Sequence, residues 1–210
     1  MVWEKEKGQG LVIWYQAQNL SITDELIMRK LTFLFYLIFL LPNIVTGNLV
    51  EIYSLDQMDD SRGFCIDIRG HKSKAKIKSR LQVHTCYSYQ GSIAVDQGFD
   101  LLKLDEGQFH LPAFDVCMEA DSNTASASLR LSKCQDEELQ KFERDNNGRI
   151  YLTSNIELCL TVVQGKFRRG RGGSPVHLMR NLSLELCGET LKKFQMWGAR
   201  SDTKVGQGSH

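Results

Sequence analysis

The sequence is poor in proline, with three in 210 residues, and it shows little helical apolar spacing after residue 50. It also lacks a charge imbalance, because 26 basic and 25 acidic side chains leave a net charge of +1. That balance argues against a nucleic-acid-binding protein, although a chain with a small net charge can still contain segments of high local positive charge. The composition, 42% hydrophobic and 24% charged, is that of a globular protein. Together these features predict short strands joined by turns rather than helices.

The chain also lacks an apolar run of the ~20 residues that a transmembrane helix needs. The longest run, Leu31 to Leu41, follows Arg29 and Lys30 and precedes small residues at 45–47. This order predicts a signal peptide at residues 28–47 and a secreted protein without stable membrane insertion after cleavage. A type II membrane anchor in the secretory pathway is the alternative. Because the segment from Met28 is complete as a signal peptide, we expect residues 1–27 to be an extension of the gene model.

Motifs for catalysis and metal binding are missing as well. No nucleophile motif or paired-carboxylate signature stands out, and no Cys-x-x-Cys pair or histidine lies at a ligand spacing. We therefore expect no enzymatic activity, no metal and no cofactor.

Three related segments make up most of the remaining chain. Each contains the pattern Leu-x-(Val/Leu)-x-x-Cys, at residues 81–86, 129–134 and 182–187. Another cysteine precedes each pattern, and a phenylalanine follows it (Phe99, Phe142 and Phe194). The second segment alternates apolar and polar residues around an Asn147-Gly148 turn, which is typical of paired strands. The recurrence therefore predicts an all-β repeat architecture.

The six cysteines all lie downstream of the predicted signal, so export would favour disulfides between them. Each repeat contains two cysteines, and the repeat therefore selects one pairing. The predicted disulfides are Cys65–Cys86, Cys117–Cys134 and Cys159–Cys187.

Two segments are rich in lysine and arginine. Residues 69–80 form an exposed basic loop, and residues 164–175 form a glycine-rich basic insertion in the third repeat. The insertion is predicted to be a mobile surface loop. Its stretch from Lys166 to Arg169 also suits a processing protease that recognises basic residues.

Cysteine-paired repeats that open with Cys-hydrophobic-Asp and close with Gln-x-Phe or Gln-x-Trp resemble the ricin B-type lectin domain. The resemblance covers about residues 50 to 198 and implies a β-trefoil at residues 48–198. The polar residues that follow, 199–210, are expected to form a disordered tail. The resemblance also implies that Phe99, Phe142 and Phe194 pack in a shared core. The Gln-Lys-Phe stretch is similar to one in the cysteine-rich domain of the mannose receptor.

The resemblance implies a shallow sugar pocket on each repeat. In that family an aspartate after the first cysteine accepts hydrogen bonds from two sugar hydroxyls, and an aromatic residue two positions before the second cysteine stacks on the ring. The first repeat matches best, with Asp67, Gln82, His84, Asp96 and Gln97. The corresponding residues are Glu119, Arg130, Ser132 and Gln140 in the second repeat, and Thr161, Ser183 and Glu185 in the third.

The expected function is carbohydrate binding through the first repeat, with glycans or glycoproteins that end in galactose or N-acetylgalactosamine as partners. One alternative is a binder of sulphated glycans that uses the basic segments 72–78 and 166–171. Another is a protein-binding trefoil whose sugar sites have decayed. In that case Asp67 caps a turn, and Gln97 and Gln140 bridge strands.

Overall fold

The computed structural model describes residues 49–201, so the predicted signal peptide and amino-terminal extension lie outside the described residues. Two short helices, α1 (Leu101–Asp105) and α2 (Lys192–Gln195), accompany four 3-10 turns at Lys72–Lys74, Ser88–Gln90, Glu138–Gln140 and Glu189–Leu191. All other regular elements are strands: β1 (Leu49–Ser54), β2 (Phe64–Asp67), β3 (Gln82–Thr85), β4 (Phe99–Asp100), β5 (His110–Leu111), β6 (Val116–Ala120), β7 (Leu129–Ser132), β8 (Phe142–Arg144), β9 (Ile150–Leu152), β10 (Asn155–Val162), β11 (Arg168–Arg169), β12 (Leu178–Leu186) and β13 (Trp197–Ser201). The all-β prediction is therefore confirmed.

Each repeat is built around one antiparallel strand pair, in which the first strand contains the first cysteine and the second cysteine follows within two residues of the end of the second strand. The pairs are β2 with β3, β6 with β7, and β10 with β12. Their registers are equivalent, since the first cysteine always lies opposite the residue two positions before the second. The structure contains the disulfides Cys65–Cys86, Cys117–Cys134 and Cys159–Cys187, which is the pairing that the repeat predicts.

The strands form two sheets. The larger has the order β13-β1-β2-β3-β12-β10-β9-β8, with β11 paired to β12 and β4 paired to β1. The smaller has the order β5-β6-β7. Strand β12 is important for the site, because it pairs with β10 of its own repeat and with β3 of the first repeat.

An aromatic side chain from each repeat lies in the common core. Phe99, Phe142 and Trp197 are all almost completely buried, and Phe109 lies edge-to-face with both phenylalanines. The Trp197 indole also donates a hydrogen bond to the Leu160 carbonyl at 2.9 Å. The predicted assignment of Phe194 to the third core position is thus wrong by three residues. Phe194 is buried, but it lies on α2 just before the equivalent position.

Two further predictions concern the turn and the end of the chain. The turn at Asn147-Gly148 joins β8 to β9, and Gly148 has a φ of 96°, a left-handed conformation that glycine adopts without strain.

Strand β13 runs on to Ser201, three residues past the expected end of the domain at 198. Within residues 49–201, no helix has the length and apolar character needed to cross a bilayer.

Candidate functional site

The carboxyl group of Asp67 lies inside the first repeat rather than on its surface. Strand pairing places Asp67 opposite Gln82, whose Nε2 donates to Asp67 Oδ2 at 2.9 Å. Gln97 Nε2 donates to Asp67 Oδ1 at 3.2 Å. Burial raises the pKa of Asp67 well above its usual value, and the nearby Asp96 acts in the same direction. Both oxygens of Asp67 therefore already have protein partners.

A glutamine in each repeat clamps the strand end beside the second cysteine. Gln97, Gln140 and Gln195 each accept a hydrogen bond from the backbone N–H of the residue after that cysteine. Each glutamine also donates a hydrogen bond to the backbone carbonyl of the residue just before the second cysteine. The same amide reaches the side chain two positions after the first cysteine, which is Asp67, Glu119 or Thr161. Gln97 therefore has a structural role, and Gln195 is its equivalent in the third repeat.

Asp96 is the second buried carboxyl group of the first repeat. Neither of its oxygens has a hydrogen-bond partner among the described residues. His71 Nδ1 lies 3.5 Å from Asp96 Oδ2, and the His71 side chain is half exposed. Asp96 thus lies next to the surface that His71 forms.

His84, the predicted stacking residue, belongs to a cluster of three aromatic rings with Tyr87 and His177, which we call the ring cluster. The His84 ring stacks on Tyr87 at a centroid distance of 4.9 Å and on His177 at 5.0 Å. Burial lowers the pKa of His84 to about 4, so the ring is neutral at pH 7. Its Nδ1–H then donates to the Thr85 carbonyl at 2.8 Å. Because its neighbours cover most of it, His84 is not a free platform.

The insertion of the third repeat folds over the first repeat as a hairpin, residues 164–177, which we call the lid hairpin. Strand β11 pairs with the start of β12, and the Arg168 guanidinium donates to Gln82 Oε1 at 3.0 Å. Arg62 donates to the carbonyls of Pro175 and Val176 at 3.1 and 2.8 Å. Arg180 donates to the Gly165 carbonyl at 2.6 Å. The predicted mobile loop is therefore tied to the domain by three arginines.

A cavity of about 340 Å³ lies between the first repeat and the lid hairpin. Its walls combine imidazole, phenol, amide and guanidinium groups with exposed backbone, from His71, His84, Tyr87, Gln90, Gly170, Arg171, Gly172, Gly173 and His177. Of the five predicted site residues, His84 lines this cavity. Asp67, Gln82, Asp96 and Gln97 form the buried layer beside it. The cavity can accept a small polar ligand with an apolar face.

The second and third repeats have different groups at the equivalent positions. Glu119 accepts hydrogen bonds from Arg130, Ser132 and Gln140, and these hold its pKa below the usual value although burial acts in the opposite direction. A cavity of about 470 Å³ beside Glu119 is lined mainly by acidic and amide side chains. In the third repeat, Ser183 donates to Glu185, and Thr161 donates to the Cys159 carbonyl. Neither repeat offers an aromatic ring at these positions.

One group of potential metal ligands occurs in the described part of the chain, namely Glu51, Cys65 and Cys86. Two of its three members form a disulfide and so have no thiolate to offer. The group does not fit a metal ion.

Comparison with known proteins identifies the fold family. The family model of the ricin-type beta-trefoil lectin domain matches residues 55–176, more than half of the chain. The chain belongs to the ricin-type β-trefoil lectin family. The fold is accordingly a β-trefoil, as the resemblance implies.

Solved structures are similar at low identity. The mdaA-1 domain is 18% identical with a TM-score of 0.51, and the match covers 73% of this chain and 89% of that one. The Vibrio vulnificus hemolysin/cytolysin β-trefoil lectin, solved with N-acetyl-D-lactosamine, is 18% identical with a TM-score of 0.46 (75% and 97% covered). The C-half of the earthworm R-type lectin, solved with GalNAc, is 13% identical with a TM-score of 0.46 (73% and 98% covered). No curated protein sequence matches.

Several cavity residues of this ricin-type lectin domain were not predicted from the sequence. Tyr87 follows Cys86 directly, and this aromatic residue next to a cysteine of the first repeat is the signal in the sequence that could have found it. His177 and Gly170–Gly173 come from the third repeat. No pattern within the first repeat points to them, because they reach the cavity through contacts between repeats, namely the pairing of β12 with β3 and the arginine contacts of the lid hairpin.

Proposed function

We propose that this protein is a secreted, non-catalytic carbohydrate-binding module that recognises galactose- or N-acetylgalactosamine-type glycans through its first repeat. The observation that carries the proposal is the cavity in which aromatic rings and hydrogen-bonding side chains meet. A sugar has polar hydroxyls and an apolar ring face, and this mixture of groups suits both. Membership of a lectin family supports the same conclusion.

The five predicted site residues then divide into two roles. His84 lines the cavity with Tyr87 and contacts the ligand. Asp67, Gln82, Asp96 and Gln97 lie beneath them, and Gln97 fixes the backbone of Tyr87. A direct contact between Asp67 and a sugar would require Gln82 and the lid hairpin to move, because Gln82 occupies Oδ2 and Arg168 holds Gln82.

The three disulfides support an extracellular setting for the proposed function. Disulfide-bonded domains persist in oxidising compartments, such as the extracellular space. Glycans on cell surfaces and secreted glycoproteins are the partners available there. A single shallow pocket is expected to bind with a dissociation constant near millimolar, about 4 kcal/mol.

A glycan array followed by calorimetric titration with galactose and N-acetylgalactosamine tests the proposal. Tyr87→Ala removes a ring contact and His71→Ala removes a hydrogen bond. The two substitutions together should weaken binding about tenfold, since these two contacts together contribute about 1–2 kcal/mol to the free energy of binding. Glu138→Ala, in the wall of the second-repeat cavity, is the matched control and should bind like the parent. Binding that survives both first-repeat changes would exclude this cavity as the sugar site.

A second candidate function is supported by the position of the basic segments. His71, in the basic segment 69–80, lines the same cavity as the lid hairpin. Arg171 also lines the cavity. These cations favour a sulphated glycan. If that is the ligand, affinity should fall steeply with added salt, and Arg171→Gln should weaken binding more than Tyr87→Ala does.

A further inference from the structure

Two pairs of adjacent basic residues occur within residues 49–201, Arg168-Arg169 and Lys192-Lys193. Endoproteases that recognise such pairs need the surrounding chain to be exposed and able to adopt an extended form. Lys192-Lys193 lies in α2 and is followed directly by the buried Phe194 and Gln195. Arg168-Arg169 forms the two-residue strand β11, which is already extended. The fold therefore holds one pair in a helix next to buried residues and presents the other in an extended strand.

The surroundings of Arg168-Arg169 are open on both sides. Residues 164–169 and 171–176 are all exposed. The Arg169 side chain has neither a hydrogen bond nor an ion pair with any other described residue, and Gly170 follows it. The Arg169 guanidinium is therefore available for recognition by a protease. The residue after the Arg169–Gly170 bond is small.

The third disulfide encloses this bond. Cys159 and Cys187 lie on either side of the lid hairpin, with a sequence separation of 28 residues. Strands β10 and β12, which flank the hairpin, pair over five residue positions, and β12 also pairs with β3. A single cut in the hairpin therefore leaves both pieces covalently joined and held in the sheet.

We propose that the Arg169–Gly170 bond is a maturation site, cut by a secretory endoprotease that recognises paired basic residues. Water is added across the peptide bond, so that Arg169 gains a carboxylate and Gly170 becomes a new amino terminus. The product is a two-chain protein joined by Cys159–Cys187.

Cleavage changes the wall of the cavity. In the uncut chain, Gly170–Gly173 closes one side of it, and the hairpin is tied at both ends. After the cut, residues 170–174 become a free end, while Arg62 still holds Pro175 and Val176. The ring cluster thus gains access to solvent. This consequence for ligand entry rests on the proposed glycan site, whereas the cleavage itself does not.

The test is to produce the full chain in a cell line that secretes it and to compare gels with and without reductant. One band should appear without reductant and two with it, and the smaller fragment should begin at Gly170. Arg169→Gln should remain a single chain after reduction, because its side chain is exposed and its loss leaves the fold intact. Lys78→Gln and Lys192→Gln are matched controls and should be cut like the parent.

An intact chain after reduction would overturn the proposal, as would a cut elsewhere or a cut at the same bond in Arg169→Gln. Glycan binding is a separate measurement on the cut protein and on the uncut Arg169→Gln variant. The association rate constant for the glycan should be about tenfold higher for the cut form. This is the ratio expected if the open cavity is a minor state of about 10% in the uncut form. Absence of glycan binding in both forms would contradict the proposed function and leave the cleavage result unaffected.

Discussion

Gln97 donates one hydrogen bond to Asp67 and accepts another from the backbone N–H of Tyr87. The side-chain amide of Gln97 therefore connects the buried carboxyl group to the cavity wall. Gln82 binds the other oxygen of Asp67. Arg168 fixes the orientation of Gln82, and Tyr87 fixes that of Gln97. The Asp67 carboxyl group is consequently the centre of a network that connects the first repeat to the lid hairpin.

We predict that Asp67→Asn destabilises the domain by about 1–3 kcal/mol. An asparagine oxygen can accept from Gln82 or Gln97 but not from both, and its amide then faces a second donor. Equilibrium denaturation measures the effect. Asp136→Asn, at a side chain that is 92% exposed, is the control and should unfold like the parent. An unchanged midpoint for Asp67→Asn would show that the two glutamines reorient freely.

The second prediction concerns pH. His84 has a pKa of about 4 in the folded protein, against 6.5 for an ordinary histidine. The unfolded chain therefore binds the proton first, and the folded state loses stability as pH falls from about 6.5 toward 4. The full effect is about 3 kcal/mol. Thermal unfolding of the parent and of His84→Gln across this range should show a gap that narrows with acidification. A gap that stays constant would mean that His84 is not held neutral by burial.

The third prediction concerns the core position of the third repeat. Trp197→Ala should cost about 3–5 kcal/mol, comparable with Phe142→Ala, because both remove a fully buried ring from the common core. Trp197→Ala also leaves the Leu160 carbonyl without its indole donor. Urea denaturation of Trp197→Ala, Phe142→Ala and Phe194→Ala ranks the three positions. A larger loss in Phe194→Ala than in Trp197→Ala would restore the assignment made from the sequence.

The fourth prediction concerns the last strand. Arg200 donates to the fully buried Glu51, and its guanidinium lies 4.4 Å from the centroid of the Tyr53 ring. Arg200→Ala should cost about 2–3 kcal/mol, because it leaves a buried carboxylate short of a partner. Removal of residues 199–201 should cost more, since it also breaks strand pairing. Arg171→Ala, an exposed arginine in the lid hairpin, is the control for denaturation.

The sequence by itself determined the repeat, the strand pairs and the disulfides, because each of these depends on residues that are close along the chain. The alternation around Asn147-Gly148 predicts a hairpin, and the spacing of cysteines predicts bridges that span only 17, 21 and 28 residues. The polar set of the first repeat was implied by the resemblance to the ricin B-type family, whose site residues stand at set distances from the two cysteines.

Only the tertiary structure decided how that set is used. Arg168 contacts Gln82 across 86 positions of sequence, and this contact brings the lid hairpin over the first repeat. Residue identities show that Asp67 is polar, but whether it faces solvent or lies under two glutamines depends on what packs above it. The placement of Trp197 rather than Phe194 in the common core follows Gln195, whose amide makes the same backbone hydrogen bonds as those of Gln97 and Gln140. Local spacing predicts strand pairs, whereas burial is set by contacts between repeats.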